Sequence, residues 1–469
     1  MEVILAGYNI DTTVIEELKK NSPARQDVTP ETLSAAYARI SRDPRPITEL
    51  RQIARQEVEK ARKSNSAIIF KMGHHSVAEH AVFNFDLLGV SRLALEEIEK
   101  FRLCSYTEKS QRYQKLEGEF IIPEEVRETG GEGRFVAVVK KLNDLYKTLI
   151  EKGIEPEDAR YFTPLATTAQ VGMTVNARNL ELLVRRFASS ELAEVREIGK
   201  RMYEAAAKIA PSIILFTAAN DFDSKTYQGL RAEVRGRWER KRKVAKPVVL
   251  VDYTEDADIK LIASLIHTSS GVSYLNCRRM AKEMRKNERE KLVKEACRRM
   301  EFYDSTLREF EHISLTYDLI MSSGCFAQMK RHRMATLTCQ AYDPELGITV
   351  PGKIRELKEQ QGLAGIIKEA EEVFGELLKV SPAAAPYVLT SAHRKRCLMT
   401  VNARELYHIS RLREDAHAQW DIQILSAAMC KAAKAVMPLT MLTIGGKDSY
   451  VGIYQKVYGE RPRILPPKE

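Results

Sequence analysis

Two β-branched runs stand out in the hydrophobic pattern of the chain. Val3–Ile4–Leu5–Ala6 and Val248–Val249–Leu250–Val251 are each followed by turn-prone residues, and each predicts a β-strand. Between and after them the pattern is largely helical. Residues 94–101, A-L-E-E-I-E-K-F, are strong helix formers. Leu406, Ile409 and Leu412 fall at helical spacing within 405–412, with Thr400 and Asn402 as start signals just upstream. One strand opening each of two long, mostly helical stretches predicts an α+β fold, with long helices against a sheet in each half. No apolar run approaches the ~18 residues of a membrane span. Met1–Asp11 lacks a basic segment leading into an apolar stretch, so no signal peptide is expected.

The two strands belong to a longer repeat. T-V-N-A-R at 174–178 returns at 400–404, an offset of 226. Glu79-His80 returns as Glu311-His312, an offset of 232, and R-L-C-S-Y-T from Arg102 returns as R-M-A-T-L-T from Arg333, an offset of 231. A-R-Y-F-T at 159–163 returns as A-P-Y-V-L at 385–389. Collinear matches whose offset drifts slowly are the mark of a diverged duplication, and the period is far too long for a solenoid. The expected organisation is a first copy over 1–235, a basic linker over 236–247 and a second copy over 248–469.

Composition narrows the function classes. The 469 residues, 44% hydrophobic and 29% charged, are ample for a buried core and exclude wholesale disorder. A net charge of +10 favours anionic partners. The seven cysteines are scattered, odd in number and contain no C-x-x-C, which argues against a disulfide framework or a cysteine zinc site and for reduced thiols in a cytoplasmic protein. Aromatics are 7% and no aromatic–basic platform recurs, so nucleic acid is not the expected partner; an RNA-binding alternative would rest on the charge and the basic run alone.

Three segments carry candidate chemistry. The first, 73–113, opens with His74, His75, Ser76, Glu79 and His80 and ends S-Y-T-E-K-S-Q-R-Y, where hydroxyls and Arg112 suit a phosphate. H-x-x-x-E-H is not a zincin pattern, so no metal is expected. The second, 325–343, sets Gln328 and Arg331 three apart and places His332 between Arg331 and Arg333. Such a cluster repels itself unless an anion lies among it. In the third, 400–420, Asn402 and Arg413 are eleven apart and so nearly on one helix face, while Arg404 and His408 stand at i, i+4.

Together these segments resemble the flavin-dependent thymidylate synthases, whose signature is R-H-R, seven residues, then Ser. Upstream that family has G-H-x-S/T-x-x-E-H, and downstream S-x-x-x-S-x-R-Y, A-R-x-V-L-P, T-V-N-x-R-S-L and L-R-x-x-x-H-A-Q-W-E-I. The resemblance implies conversion of dUMP to dTMP, with methylenetetrahydrofolate as carbon donor, reduced FAD as hydride donor and NADPH as the reductant of the flavin. Family members are usually homotetramers with shared sites, so a fused pair implies a homodimer mimicking the tetramer.

Each half departs from the family pattern in a complementary way. In the first, the R-H-R positions are Lys100, Phe101 and Arg102, and Phe187 takes the late arginine position; the tail Glu108, Ser110, Gln111, Arg112 and the arginine Arg160 are intact. In the second, Gln328, Arg331, His332, Arg333 and Arg413 are intact, while Cys339, Ala341, Asp343 and Pro386 replace the tail and its arginine. One composite residue set per chain is complete and its mirror is lost. By resemblance, Gln328, Arg331, Glu108, Ser110, Gln111, Arg112, Arg160 and Arg413 bind dUMP, with Arg413 acting catalytically at the pyrimidine edge. FAD contacts implied in the same way are His74, Ser76, Glu79, Glu108, Arg331, His332, Arg333, Asn402, Arg404 and His408. Nonstandard pocket residues, among them Thr107, Thr338 and Leu182 opposite His408, leave a catalytically inactive flavin- or nucleotide-binding relative as the alternative.

Overall fold

The computed structural model describes residues 1–11, 14–15, 18, 28–40, 43–234, 246–357 and 360–463. Most of the basic 236–247 stretch therefore lies outside the described residues. Eight strands form two four-stranded antiparallel sheets. The first holds β1 (Glu2–Tyr8), β2 (Val82–Ser91), β3 (Cys104–Glu108) and β4 (Thr168–Asn176) in the order β1-β2-β4-β3. The second holds β5 (Val248–Tyr253), β6 (Ser314–Ser322), β7 (Thr336–Cys339) and β8 (Arg394–Asn402) in the order β5-β6-β8-β7. The strands expected at 3–6 and 248–251 lie inside β1 and β5, each at a sheet edge.

The registers of the two sheets agree residue for residue. Val82 pairs with Asn176 and Ser314 with Asn402; Ser105 pairs with Thr174 and Thr336 with Thr400. These are the 232, 226 and 231 offsets of the sequence repeat. The slip from 232 to 231 has a local cause. β2 carries one residue more than β6, at a register shift between Leu88 and Val90, where Gly89 adopts φ +63°. A left-handed residue in a bulge favours glycine, which has no Cβ to strain.

Period-two burial builds each core. Phe83, Phe85 and Leu87 on β2 are buried, as are Leu315, Tyr317 and Leu319 on β6. Val171, Met173 and Val175 on β4 correspond to Cys397, Met399 and Val401 on β8. In the first half α1 (Arg92–Ile98) follows β2, α2 (Glu132–Glu151) lies between β3 and β4, and α3 (Ala177–Ala188) follows β4. The helix expected over 94–101 stops early: the Tyr106 hydroxyl donates to the Ile98 carbonyl, at 2.9 Å, and to that of Phe101. Helices of the second half include α4 (Ser323–Met329), α5 (Gln360–Leu377), α6 (Ala403–Arg413) and α7 (Trp420–Val436). α7 packs across β5 and β6, where the Tyr317 hydroxyl donates to the Met429 carbonyl.

Strand-to-helix junctions are capped alike in both halves. Ser91 Oγ accepts the Ala94 N–H and Ser322 Oγ the Cys325 N–H, each at 2.9 Å; the two hydroxyls in turn donate to Glu194 and Asp421. Asn176 caps α3 and Asn402 caps α6. Thr400, the other expected start, is in β8.

The chain forms two compact units that cut across the sequential copies. One comprises Met1–Lys241 with Gly352–Thr390; the other comprises Arg242–Pro351 with Ser391–Glu469. Within the first unit α2 packs on α5, its own counterpart in the repeat, through Lys141–Glu369 at 2.6 Å and the pairing of Arg134 with Glu372 and Glu376. Pro164 bridges Thr390, also its counterpart at the 226 offset. Self-complementary pairing of this kind is what a two-fold dimer interface makes.

Candidate functional site

α6 delivers the polar centre of the second unit. Seven residues on from Leu406, Arg413 returns to within about 20° of the same helix face. The buried face of Leu406, Ile409 and Ser410 therefore runs into Arg413, while Leu412 turns out to solvent. This corrects the reading of Leu406, Ile409 and Leu412 as one apolar stripe. Arg413 Nε donates to His332 Nε2 at 2.9 Å, and its Nη2 donates to the Gln328 carbonyl at 3.2 Å. His332 Nδ1 lies 3.3 Å from Glu405 Oε1. Because Nε2 accepts, the imidazole is neutral with its proton on Nδ1, facing Glu405. Burial pushes the His332 imidazole below its ordinary range, and neighbouring Arg413 and His408 add to this against the pull of Glu405. The Gln328 amide donates to Gln419. Arg331 and Arg333 are exposed in the turn between α4 and β7.

The first half holds the apolar version of this contact. Phe101 and Phe187 stand where His332 and Arg413 stand in the repeat, and their rings meet edge to face at 5.6 Å. A polar pair in one copy is thus a packed aromatic pair in the other. Gly199 leaves room for it: a Cβ there would lie 2.7 Å from Phe187 Cβ.

The tail residues gather in the first unit. Glu108 ends β3 and forms a buried ion pair with Arg92. Ser110 Oγ accepts the Arg112 N–H, Arg112 pairs with the Glu157 carboxylate, and Arg160 Nε donates to the Glu157 carbonyl at 3.2 Å. Two guanidinium groups, one of them buried, therefore converge on one residue. Gln111 is buried, and its Nε2 has no hydrogen-bond partner among the described residues. A buried donor left so is unfavourable unless a further acceptor meets it.

In the second unit the corresponding tail is filled from within. Tyr342 replaces Gln111 in the repeat, Ser323 replaces Arg92, and the Tyr342 hydroxyl donates to Ser323 Oγ at 2.9 Å. Buried Lys395 sits 4.3 Å from the ring centres of both Phe326 and Tyr342, a cation–π arrangement. Asp343 caps a short turn, and Pro386 lies in a buried 3-10 turn of the first unit.

His74 and Ser76 are exposed at the start of the short helix His75–His80. Glu79 pairs with Arg178 at 2.5 Å, and Arg404 pairs with Glu311 at 3.0 Å. These are one ion pair repeated in the two copies. His408 is exposed and meets His332 edge to face at 5.7 Å. Ligand atoms of His332, Glu405 and His408 lie within 4.8 Å of one another, as a metal ion would need. A cation there would meet Arg413, and both His332 nitrogens already face partners. Sequence reasoning missed Glu405, Glu157, Lys395 and Tyr342; the repeat alignment marks the last as a tail position but gives no signal for its role.

The family model described as thymidylate synthase complementing protein matches residues 25–212 and again 249–439. A flavin-dependent thymidylate synthase of Pyrococcus furiosus is 33% identical over 147 residues, 30% of this chain and 60% of that protein. One of Geobacter sulfurreducens is 32% identical over 150 residues, 31% of this chain and 65% of that protein. The matched stretches thus span about three-fifths of these relatives' length. The solved flavin-dependent thymidylate synthase of Helicobacter pylori, complexed with FAD and dUMP, is 20% identical, with a TM-score of 0.33 over 46% of this chain and 100% of its own. A UMP/dUMP methylase of Streptomyces cacaoi is 18% identical, with a TM-score of 0.37 over 45% of this chain and 92% of its own. Among the described residues no helix is long and apolar enough to cross a membrane. With the family model matched in both halves and over most of its length, the chain belongs to the thymidylate synthase complementing protein family.

Proposed function

We propose that the chain is a flavin-dependent thymidylate synthase that makes dTMP from dUMP, with methylenetetrahydrofolate as carbon donor, and that each chain carries one complete residue set for the reaction. The observation that carries this reading is the complementary replacement of polar by packed groups. The second copy keeps Gln328, Arg331, His332 and Arg413 where the first has Phe101 packed edge to face on Phe187. The first keeps Glu108, Ser110, Gln111, Arg112 and Arg160 where the second has Tyr342 over Lys395. Decay of an unused scaffold would not spare complementary sets. The copies would run over 1–235 and 248–469, and the self-complementary α2–α5 contact supports reading them as a fused dimer.

In this reading Arg112 and Arg160 bind the nucleotide phosphate together with Arg331, and the phosphate competes with or joins Glu157. Ser110 positions the ligand. The unmet Gln111 donor fits an acceptor on it. Arg413, held by neutral His332, places positive charge at the pyrimidine carbonyl edge, where it stabilises the enolate-like charge that makes C5 nucleophilic. His74, Ser76, Glu79, Glu108, Arg331, His332, Arg333, Asn402, Arg404 and His408 would hold FAD. When bound, FAD supplies the hydride, and NADPH is the reductant of the flavin.

The test is direct. Purified protein should show an oxidised-flavin absorption band and release tritium from labelled dUMP when folate and reductant are added. Arg413→Ala should lower turnover by about 10²–10³-fold with the circular dichroism spectrum unchanged. A colourless protein that binds neither FAD nor dUMP overturns the proposal, and flavin binding without tritium release points to the inactive relative.

A further inference from the structure

The seven cysteines look unrelated along the sequence, yet two of them meet. Cys339 on the edge strand β7 pairs directly with Cys397 on β8, 58 residues away, and their Sγ atoms are 2.8 Å apart. The next pair along, Gln340 and Arg396, is joined by the Gln340 N–H donating to the Arg396 carbonyl. Antiparallel pairs alternate in kind, so Cys339 and Cys397 form the non-hydrogen-bonded pair. There the Cα atoms stand ~4.5 Å apart and the side chains come closest. That separation is inside the window that a disulfide spans. Cys339 is exposed while the other six thiols, Cys397 included, are buried. The pair can therefore be approached from one side only. The matching positions in the first copy are Glu108 and Val171, which are also paired directly across β3 and β4. The second copy thus carries cysteine at both members of one cross-strand pair, where cysteine at either alone would leave a single thiol.

We infer that Cys339 and Cys397 are a thiol–disulfide exchange site that closes to a disulfide stapling β7 onto β8. The co-reactant is a low-molecular-weight disulfide. The Cys339 thiolate attacks one of its sulfurs, forming a mixed disulfide and expelling one small thiolate. The Cys397 thiolate then attacks Cys339 Sγ and expels the second. Two protein thiols are oxidised to one disulfide, one small disulfide is reduced to two thiols, and the two protons pass to them. β7 follows directly on the turn that holds Arg331, His332 and Arg333, so the staple fixes the strand into which that turn runs.

The full-length chain, reduced and freed of reductant, is incubated with oxidised glutathione and digested with trypsin without reduction. The expected product is a disulfide-linked pair of peptides, 334–353 and 397–404, with two fewer thiols titrated in denaturant. The thermal midpoint should rise by roughly 5 °C on oxidation. Cys339→Ser should yield no linked pair and no rise. Seven thiols still titrating after oxidation, a product that stops as glutathionylated Cys339 with Cys397 still alkylated, or linkage of Cys339 to another cysteine would each overturn the inference.

Discussion

His332 shows how a single side chain is set by its neighbours. Its Nε2 accepts from Arg413, so the ring must stay neutral, and burial pushes its pKa below the ordinary value near 6.5. A histidine so lowered binds its proton less tightly folded than unfolded. Below about pH 6.5 the unfolded chain takes up a proton that the native state refuses, so stability falls as pH drops through that value toward the native pKa. Denaturant midpoints at pH 7.5 and 5.5 should show this loss in the parent and a shallower loss in His332→Gln. Equal slopes would mean that His332 does not contribute. Glu405 is the other half of the arrangement, since it faces the Nδ1 proton and fixes the tautomer. Glu405→Ala should lower turnover by roughly ten-fold, the scale of losing an orienting partner, and Glu405→Gln, which keeps an acceptor there, should restore most of it. A deficit of equal size in both variants would point to charge rather than orientation. Several members of this centre, Gln328, His332 and Arg413 among them, were legible from spacing and resemblance. Their contacts were not, because His332 and Arg413 are 81 residues apart and only the folded sheet brings them together.

At the scale of elements, the sequence announced one edge strand of each sheet, β1 and β5, and hid the other three. β1 and β5 read as unbroken apolar runs. β2 alternates from Phe83 through Leu87 and then loses phase at Gly89, so its period-two signal breaks inside the strand. β4 and β8 were marked only by the T-V-N-A-R repeat, which the fold explains: Asn176 and Asn402 end a strand and cap the helix that follows. The bulge carries its own prediction. Gly89 sits at φ +63°, and an added Cβ would come to 3.4 Å from the Met1 nitrogen. Gly89→Ala should destabilise the first sheet by about 1–2 kcal/mol through backbone strain. Deleting Gly89 alone would give β2 the residue count of β6 and should be tolerated better than the alanine change. Chemical denaturation of both variants checks this order, and a deletion that costs more than Gly89→Ala would show that the bulge shapes the strand beyond its extra residue.

For the whole molecule, length and charge acquire a meaning they lacked in isolation. Its 469 residues match one family model twice, and α2 meets α5, its own counterpart in the repeat, within the one chain. Symmetry of fold has not kept symmetry of side chains. A true homo-oligomer repeats every site; this chain packs Phe101 on Phe187 in one copy and Lys395 between Phe326 and Tyr342 in the other. The phenylalanine pair carries no polar group, the Tyr342 hydroxyl is already given to Ser323, and an aromatic contact does not open without losing its packing. Titration calorimetry should therefore find one dUMP bound per chain, not two. Arg112→Ala and Arg413→Ala, which change residues in different copies, should each weaken that same single site. Two equivalents of dUMP per chain, or two variants that each remove half the binding, would show two independent sites and end the reading of complementary decay.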